Sequence, residues 1–440
     1  MRLTTPARLA AAGFLTLSFV LAGGAAHAHG DRHRDEKMAQ TYDASLSAPF
    51  VSSPNVRLAA ARPGSAGVSG CFLHSAPYFV MSGLDDVTVY DVSNPAAPRE
   101  VGTMPSAQFQ NEAMNCGERM VSRELTDRFA MIGVDLYQAS PDDLEHVNDP
   151  VRGDYELVVV DVTDPTSPHV RSRLASTTST HTVTCIDGID GTDCRYDYSA
   201  GDDSEVPGRG SFSIFDLTDL DRPVEVDSDP ATEGTQPFSS DAVGWGGHTW
   251  NIDDAGYATH TGAGGSDIFD VRDPLHPVEV ANTGAAGDTA REGSVNHFND
   301  FIHHNSFRPN AKALRSDAPP SLANGNILVV TEEDYEDPYC STAGSFQTWH
   351  IKRLDGSDGS IVPLAKLELA DLGTFPVPVG AFCSSHWFDY HPSGVVAVGY
   401  YGGGTVPSVE IAPSIALAPG LLLGGSAMVA LIVNRRRRRA

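Results

Sequence analysis

Glu112, His181, His248, His304 and His386 each stand just ahead of a β-rich run in this 440-residue chain. Glu112-Ala113-Met114-Asn115-Cys116 and His181-Thr182-Val183-Thr184-Cys185 align through a cysteine four residues on. His248-Thr249-Trp250, His304-Asn305-Ser306 and His386-Trp387-Phe388 occupy the same relative place before the next run. Imidazole nitrogens and carboxylate oxygens are the ligands that zinc, copper and iron take, so five such groups brought to one axis would form a metal centre. The same groups could instead satisfy backbone polar atoms at the mouth of a channel, since none of the five lies in an HxH or HExxH pattern.

Other chemistry has less support. Glu332, Glu333, Asp334, Glu336 and Asp337 form an acidic run that could take calcium. It lacks the glycine and terminal glutamate of an EF-hand loop, so it reads as an exposed loop. His27, His29 and His33 read as part of an unstructured tract. There is no GxSxG, and Gly402 to Gly404 is not followed by Lys-Ser/Thr, so neither a nucleophile elbow nor a phosphate loop is present.

The elements that must position these residues repeat. Val87-Thr88-Val89-Tyr90-Asp91 is followed by Asn94-Pro95, and Leu157-Val158-Val159-Val160-Asp161 by Asp164-Pro165. Ser213-Ile214-Phe215-Asp216 precedes Pro223, and Asp267-Ile268-Phe269-Asp270 precedes Asp273-Pro274. The closing residues Asp91, Asp161, Asp216 and Asp270 are 70, 55 and 54 residues apart. β-branched and aromatic runs suit strands, Asp accepts from the backbone ahead of it, and Pro fixes φ in the turn. Few segments have amphipathic helical spacing, so the expectation is an all-β chain. Units of roughly 50 residues built of short strands point to β-propeller blades that converge on one axis, with a β-sandwich as the alternative.

The chain as a whole is acidic: 30 Lys and Arg against 57 Asp and Glu give a formal net charge of −27. Such a surface repels nucleic acid and anionic lipid. Arg2 and Arg8, the apolar run from Leu9 to Leu21 and Ala26-His27-Ala28 predict a signal peptide over 1–28, with a short N-terminal membrane helix as the alternative. Ile411 to Val433 is uncharged and is followed by Arg435 to Arg439, which predicts a membrane helix with a cytoplasmic basic tail and the bulk of the chain outside. That segment is a permanent anchor or a processed sorting signal, although no LPxTG precedes it. Six cysteines in an exported chain predict disulfides, with fifteen connectivities open. The preferred set is Cys185–Cys194 across a short turn, with Cys71–Cys116 and Cys340–Cys383 spanning neighbouring units.

The Val158 to Pro165 stretch, Val-Val-Val-Asp-Val-Thr-Asp-Pro, resembles the LVIVD-repeat family of bacterial surface propellers. His181 to Cys185, Asp300 to Ser306, Thr331 to Tyr335, Gly344 to His350 and Ser385 to His391 resemble its actinobacterial members. The resemblance runs from Gly67 to Thr405 and implies about seven blades, with no settled activity. Six units are detectable here, and the last lacks its outer strands because Pro407 and the apolar tail arrive soon after Tyr400-Tyr401. The resulting map is a signal over 1–28, an N-terminal extension over 29–66 and the propeller over 67–405. A linker and transmembrane helix cover 406–434, and the tail 435–440. The expected function is a surface-anchored binding module for a protein, glycan or small molecule. The alternative is an exported metal-dependent enzyme using the His/Glu cluster with Zn, Cu or Fe.

Overall fold

In a computed structural model, six antiparallel sheets follow one another in chain order. The structure describes residues 59–60, 67–401 and 404–409, with breaks at 84–85, 106–111, 122–123, 136–154, 187–192, 203–209, 241–242, 244–246, 284–297, 299–301, 335–343, 358–359 and 373–382. The expected signal peptide, membrane helix and basic tail lie outside the described residues. Among the described residues, no helix is long and apolar enough to cross a membrane.

Blade 1 is Gly67–Phe72, Tyr78–Gly83, Asp86–Asp91 and Arg99–Pro105; blade 2 is Asn115–Val121, Glu124–Asp135, Tyr155–Asp161 and His169–Ala175. Blade 4 is Trp250–Ile252, Tyr257–Gly262, Gly265–Asp270 and Val278–Asn282; blade 5 is Ile302–Phe307, Ile327–Glu333, Phe346–Ile351 and Ile361–Leu367. Each is a four-stranded meander. Blade 3 departs from the simple unit. After Thr182–Cys185 and Tyr196–Asp202, its third strand is split into Gly210–Phe212, which pairs with Phe238–Ser239, and Ile214–Asp216, which pairs with Val224–Glu225. Among the described residues blade 6 has three strands, Ser385–His391, Val395–Tyr400 and Gly404–Val409.

The repeated phrase has one structural meaning in blades 1 to 4. Asp91, Asp161, Asp216 and Asp270 each end a third strand, and each carboxylate accepts the backbone N–H two residues on, at 2.8–3.2 Å. Asn94, Asp164, Asp219 and Asp273 repeat that bond three residues later. The two capped turns carry the chain away from the strand without leaving amide groups unpaired. The apolar residues ahead of each Asp are buried, as with Val158, Val159 and Val160.

Blades cohere through apolar layers between neighbours. Val87 and Val89 pack with Val158 and Val160 between blades 1 and 2, and Phe129 and Leu157 with Phe215 between blades 2 and 3. Phe212 and Trp250 join blades 3 and 4, Ile268 and Trp349 join blades 4 and 5, and Phe346 and Val396 join blades 5 and 6. Each fully buried side chain of this kind contributes about 1.5–3 kcal/mol, so these layers hold successive blades together. Among the described residues there is no such layer between blade 6 and blade 1.

Two of the expected disulfides are present. Cys71–Cys116 ties the first strand of blade 1 to that of blade 2, and Cys185–Cys194 closes a short loop in blade 3. Cys383 is also disulfide-bonded, while Cys340 lies outside the described residues.

Candidate metal centre

The first strands of blades 2 to 6 bring all five sequence-predicted residues to one place. Glu112, His181 and His248 stand just before their strands, as expected, whereas His304 and His386 lie inside theirs. Both exceptions are at β-bulges, where the register shifts between His303 and Asn305 and between Ser385 and Phe388. A bulge adds one unpaired residue and re-aims its side chain, which turns both imidazoles toward the axis.

Lateral hydrogen bonds fix these strands beside one another. Glu112 N–H donates to the His181 carbonyl at 3.0 Å, and Ala113 forms a parallel bridge with Thr182. The Thr182 hydroxyl donates to the His248 carbonyl, and the Thr249 hydroxyl to the His304 carbonyl at 2.6 Å. Gly344 matters beside blades 5 and 6, because a Cβ there would stand 2.1 Å from the Glu332 carbonyl oxygen. Its own carbonyl accepts from Ser385 N–H at 2.9 Å, next to His386.

Glu112 is the hub. Its Oε2 lies 2.7 Å from His181 Nε2 and 3.7 Å from His248 Nε2. Its Oε1 lies 2.9 Å from His304 Nε2 and 2.8 Å from His386 Nε2, and accepts the Trp387 indole N–H at 2.8 Å. A second carboxylate, Glu333, lies 3.7 Å from His304 Nε2 and 3.4 Å from His386 Nε2, and accepts the Tyr401 hydroxyl. Glu112, His248, His304 and Glu333 are buried, while the His181 and His386 side chains keep 12% and 17% of their exposure, so one side of the cluster meets solvent.

Glu333, Trp387 and Tyr401 were not among the residues expected at the site. The exposed-loop expectation is corrected for Glu332, Glu333 and Asp334, all of which are buried. The strand Ile327–Glu333 runs to the axis, and Glu332 is held there by Ser345 and Gln347. The apolar run Ile327 to Val330, in the same unit as His304, was the signal that could have placed Glu333 inside. Asp337 and Glu336 lie outside the described residues.

Protonation favours ligation at His248 and His304, since a metal takes the neutral imidazole. Burial pushes the His248 imidazole well below its usual range, and neighbouring His304 adds to that against the pull of Glu112. Burial likewise pushes His304 down to about 3. Burial also opposes the charge on His386, but Glu112 and Glu333 outweigh it and the net direction is up.

His248 Nδ1 lies 3.1 Å from the Thr249 hydroxyl, whose one proton is directed to the His304 carbonyl. Thr249 therefore accepts from Nδ1–H, which leaves the lone pair of the neutral ring on Nε2. That buried Nε2 has no hydrogen-bond partner and faces a carboxylate oxygen at 3.7 Å. A lone pair against a carboxylate is unfavourable without a cation between them. Two donors on one ion with bonds of about 2.1 Å lie no more than about 4.2 Å apart, and every nitrogen–oxygen separation quoted above meets that limit.

The LVIVD repeat model matches residues 79–105 and 151–175, covering the second to fourth strands of blade 1 and the last two of blade 2. No curated protein matches the sequence. Among solved structures, the chain is similar to a periplasmic gluconolactonase of Pseudomonas aeruginosa, PpgL, with a TM-score of 0.52 at 12% identity over 85% of this chain and 90% of that one. The Cps50 (Swd1) β-propeller domain of Myceliophteria thermophila gives 0.43 at 10% identity over 79% of this chain and 83% of that one. At 12% identity the first of these speaks to the fold alone. The chain is a β-propeller that carries LVIVD repeats in its first two blades.

Proposed function

We propose that this protein is an exported, surface-anchored propeller whose axis binds a first-row transition metal through Glu112, His181, His248, His304 and His386. The observation that carries the reading is the buried His248 Nε2, without a hydrogen-bond partner and 3.7 Å from a Glu112 carboxylate oxygen. Neutral imidazoles on the borderline-soft side suit zinc, copper or iron better than calcium or magnesium, which take oxygen ligands. The fold is consistent with a binding module, and the held ion would give such a module a fixed charge with which to recruit an anionic or carbonyl-bearing ligand. A second reading, a metal-dependent enzyme, is favoured by the solvent-facing side at His181 and His386, where an ion could keep an open position for water or oxygen.

Metal analysis of the purified full chain tests the centre. At least one equivalent of Zn, Cu or Fe should co-purify or be taken up after chelation and dialysis. A protein that stays metal-free with its strand-rich spectrum intact would make the five residues structural. The surface location rests on the two apolar ends of the sequence. Protease added to whole cells should digest the propeller while a reporter fused after Ala440 stays protected; a protected propeller would remove the anchoring proposal and leave the metal reading standing.

A further inference from the structure

We infer that the centre is built for two ions bridged by the Glu112 carboxylate, an inference that rests on the metal reading above. The two oxygens of Glu112 face different pairs of imidazoles. Oε2 meets His181 and His248, and Oε1 meets His304 and His386. Glu333 approaches only the second pair, at 3.7 Å from His304 and 3.4 Å from His386. Two sets of donors have atoms that all lie within 4.8 Å of one another, Glu112 with His248 and His304, and Glu333 with His304 and His386; His181 is in neither and joins through its 2.7 Å approach to Oε2.

His304 is in both groups, but one Nε2 lone pair serves one ion. Its 2.9 Å approach to Oε1 and its contact with Glu333 place it with His386. The first ion then has His181, His248 and Oε2, three protein donors with a position left toward the solvent-facing side. The second has His304, His386, Oε1 and Glu333, four donors that close a tetrahedral set. One four-coordinate ion cannot use these seven donor atoms, and a carboxylate spanning two ions about 3.5–4 Å apart is the usual frame of a two-metal site. Trp387 takes one lone pair of Oε1 and Tyr401 donates to Glu333. Both bonds hold the carboxylates in place and leave each an oxygen lone pair for an ion.

The test is stoichiometry on the full chain, stripped with chelator and titrated with Zn(II). Two equivalents should bind, and Glu333→Gln should bind one. A wild-type end point of one equivalent overturns the two-ion inference and keeps the metal reading, while an end point of zero overturns both. Cu(II) loading of the wild type decides independently of whether the variant folds. The first equivalent should give the resolved paramagnetic resonance of an isolated ion, and the second should diminish it by coupling. A signal that doubles on the second equivalent would show two distant ions and overturn the bridge.

Discussion

His304 at the axis and His260 inside blade 4 are both fully buried, and burial pushes each imidazole down to about 3. Their surroundings separate them. His260 Nδ1 meets the Ser240 hydroxyl at 2.7 Å, and its ring stacks on Trp250 with centroids 4.2 Å apart and planes 2° from parallel. Burial is the one cause acting on its titration. His304 faces Glu112 and Glu333 and lies between His248 and His386, with centroids 3.9 and 4.0 Å away and planes tilted by 39° and 42°. A buried neutral imidazole against an indole is a packing element with one hydroxyl partner. The same imidazole among three others and two carboxylates is a ligand set. Burial and neutrality are common to both, so what distinguishes a site is the charge collected opposite the nitrogen.

The largest expected effect follows from that difference. Replacing His248 and His304 together by Ala removes one donor from each side of Glu112. Tight metal uptake should be lost by at least 100-fold, with the strand signal in circular dichroism retained. His260→Asn, equally buried and carrying the same intrinsic ligand chemistry, should leave the metal stoichiometry of the wild type unchanged. Metal content by mass spectrometry on the two variants compares them directly. Equal loss in both would mean that the axial histidines act through packing, as His260 does.

The contrast also shows what could be read from sequence. The turn-forming Asp residues and the five axial residues were legible because each obeys a short local rule repeated at blade spacing: Asp bonds to the N–H two residues on, and a Glu or His stands at or near the start of the first strand in blades 2 to 6. Glu333 was not legible as a site residue, because an acidic run of Glu332, Glu333 and Asp334 has the composition of an exposed loop. Its burial is set by contacts distant in sequence, such as Tyr401 on Glu333 and the Ser384 hydroxyl on Asp334 N–H. The bulges at His304 and His386 escaped for a related reason, since register is a property of the strand pair and not of either strand. The split third strand of blade 3 gave no sequence sign either; there the Ser213 carbonyl still accepts from Ser199 N–H at 3.0 Å, but its own N–H donates to the Ser199 hydroxyl at 2.9 Å.

A smaller effect sharpens the other side of the comparison, the histidine whose burial has no carboxylate to offset it. The folded-state value of His260 is about 3, against an ordinary value of 6.5. A base whose folded value is depressed contributes stability that is present above its unfolded value and lost as pH falls, because the unfolded chain takes up a proton that the folded one refuses. The loss therefore begins near pH 6.5 and grows until about pH 3. Between pH 7 and pH 5 it spans about 1.5 units, which corresponds to about 2 kcal/mol of unfolding free energy. Asn at position 260 can keep a hydrogen bond to Ser240 and has no proton to gain. The variant starts from lower stability, since the indole loses its stacking partner, so the informative quantity is the change with pH. Urea unfolding of the full chain at pH 7 and pH 5 should show the wild type losing about 2 kcal/mol more than His260→Asn across that interval. His303, also buried and pushed down to about 3, contributes to both proteins alike and cancels in the difference. Equal losses in the two proteins would place His260 in contact with solvent or a compensating charge, and the comparison with His304 would then fail at its structural end.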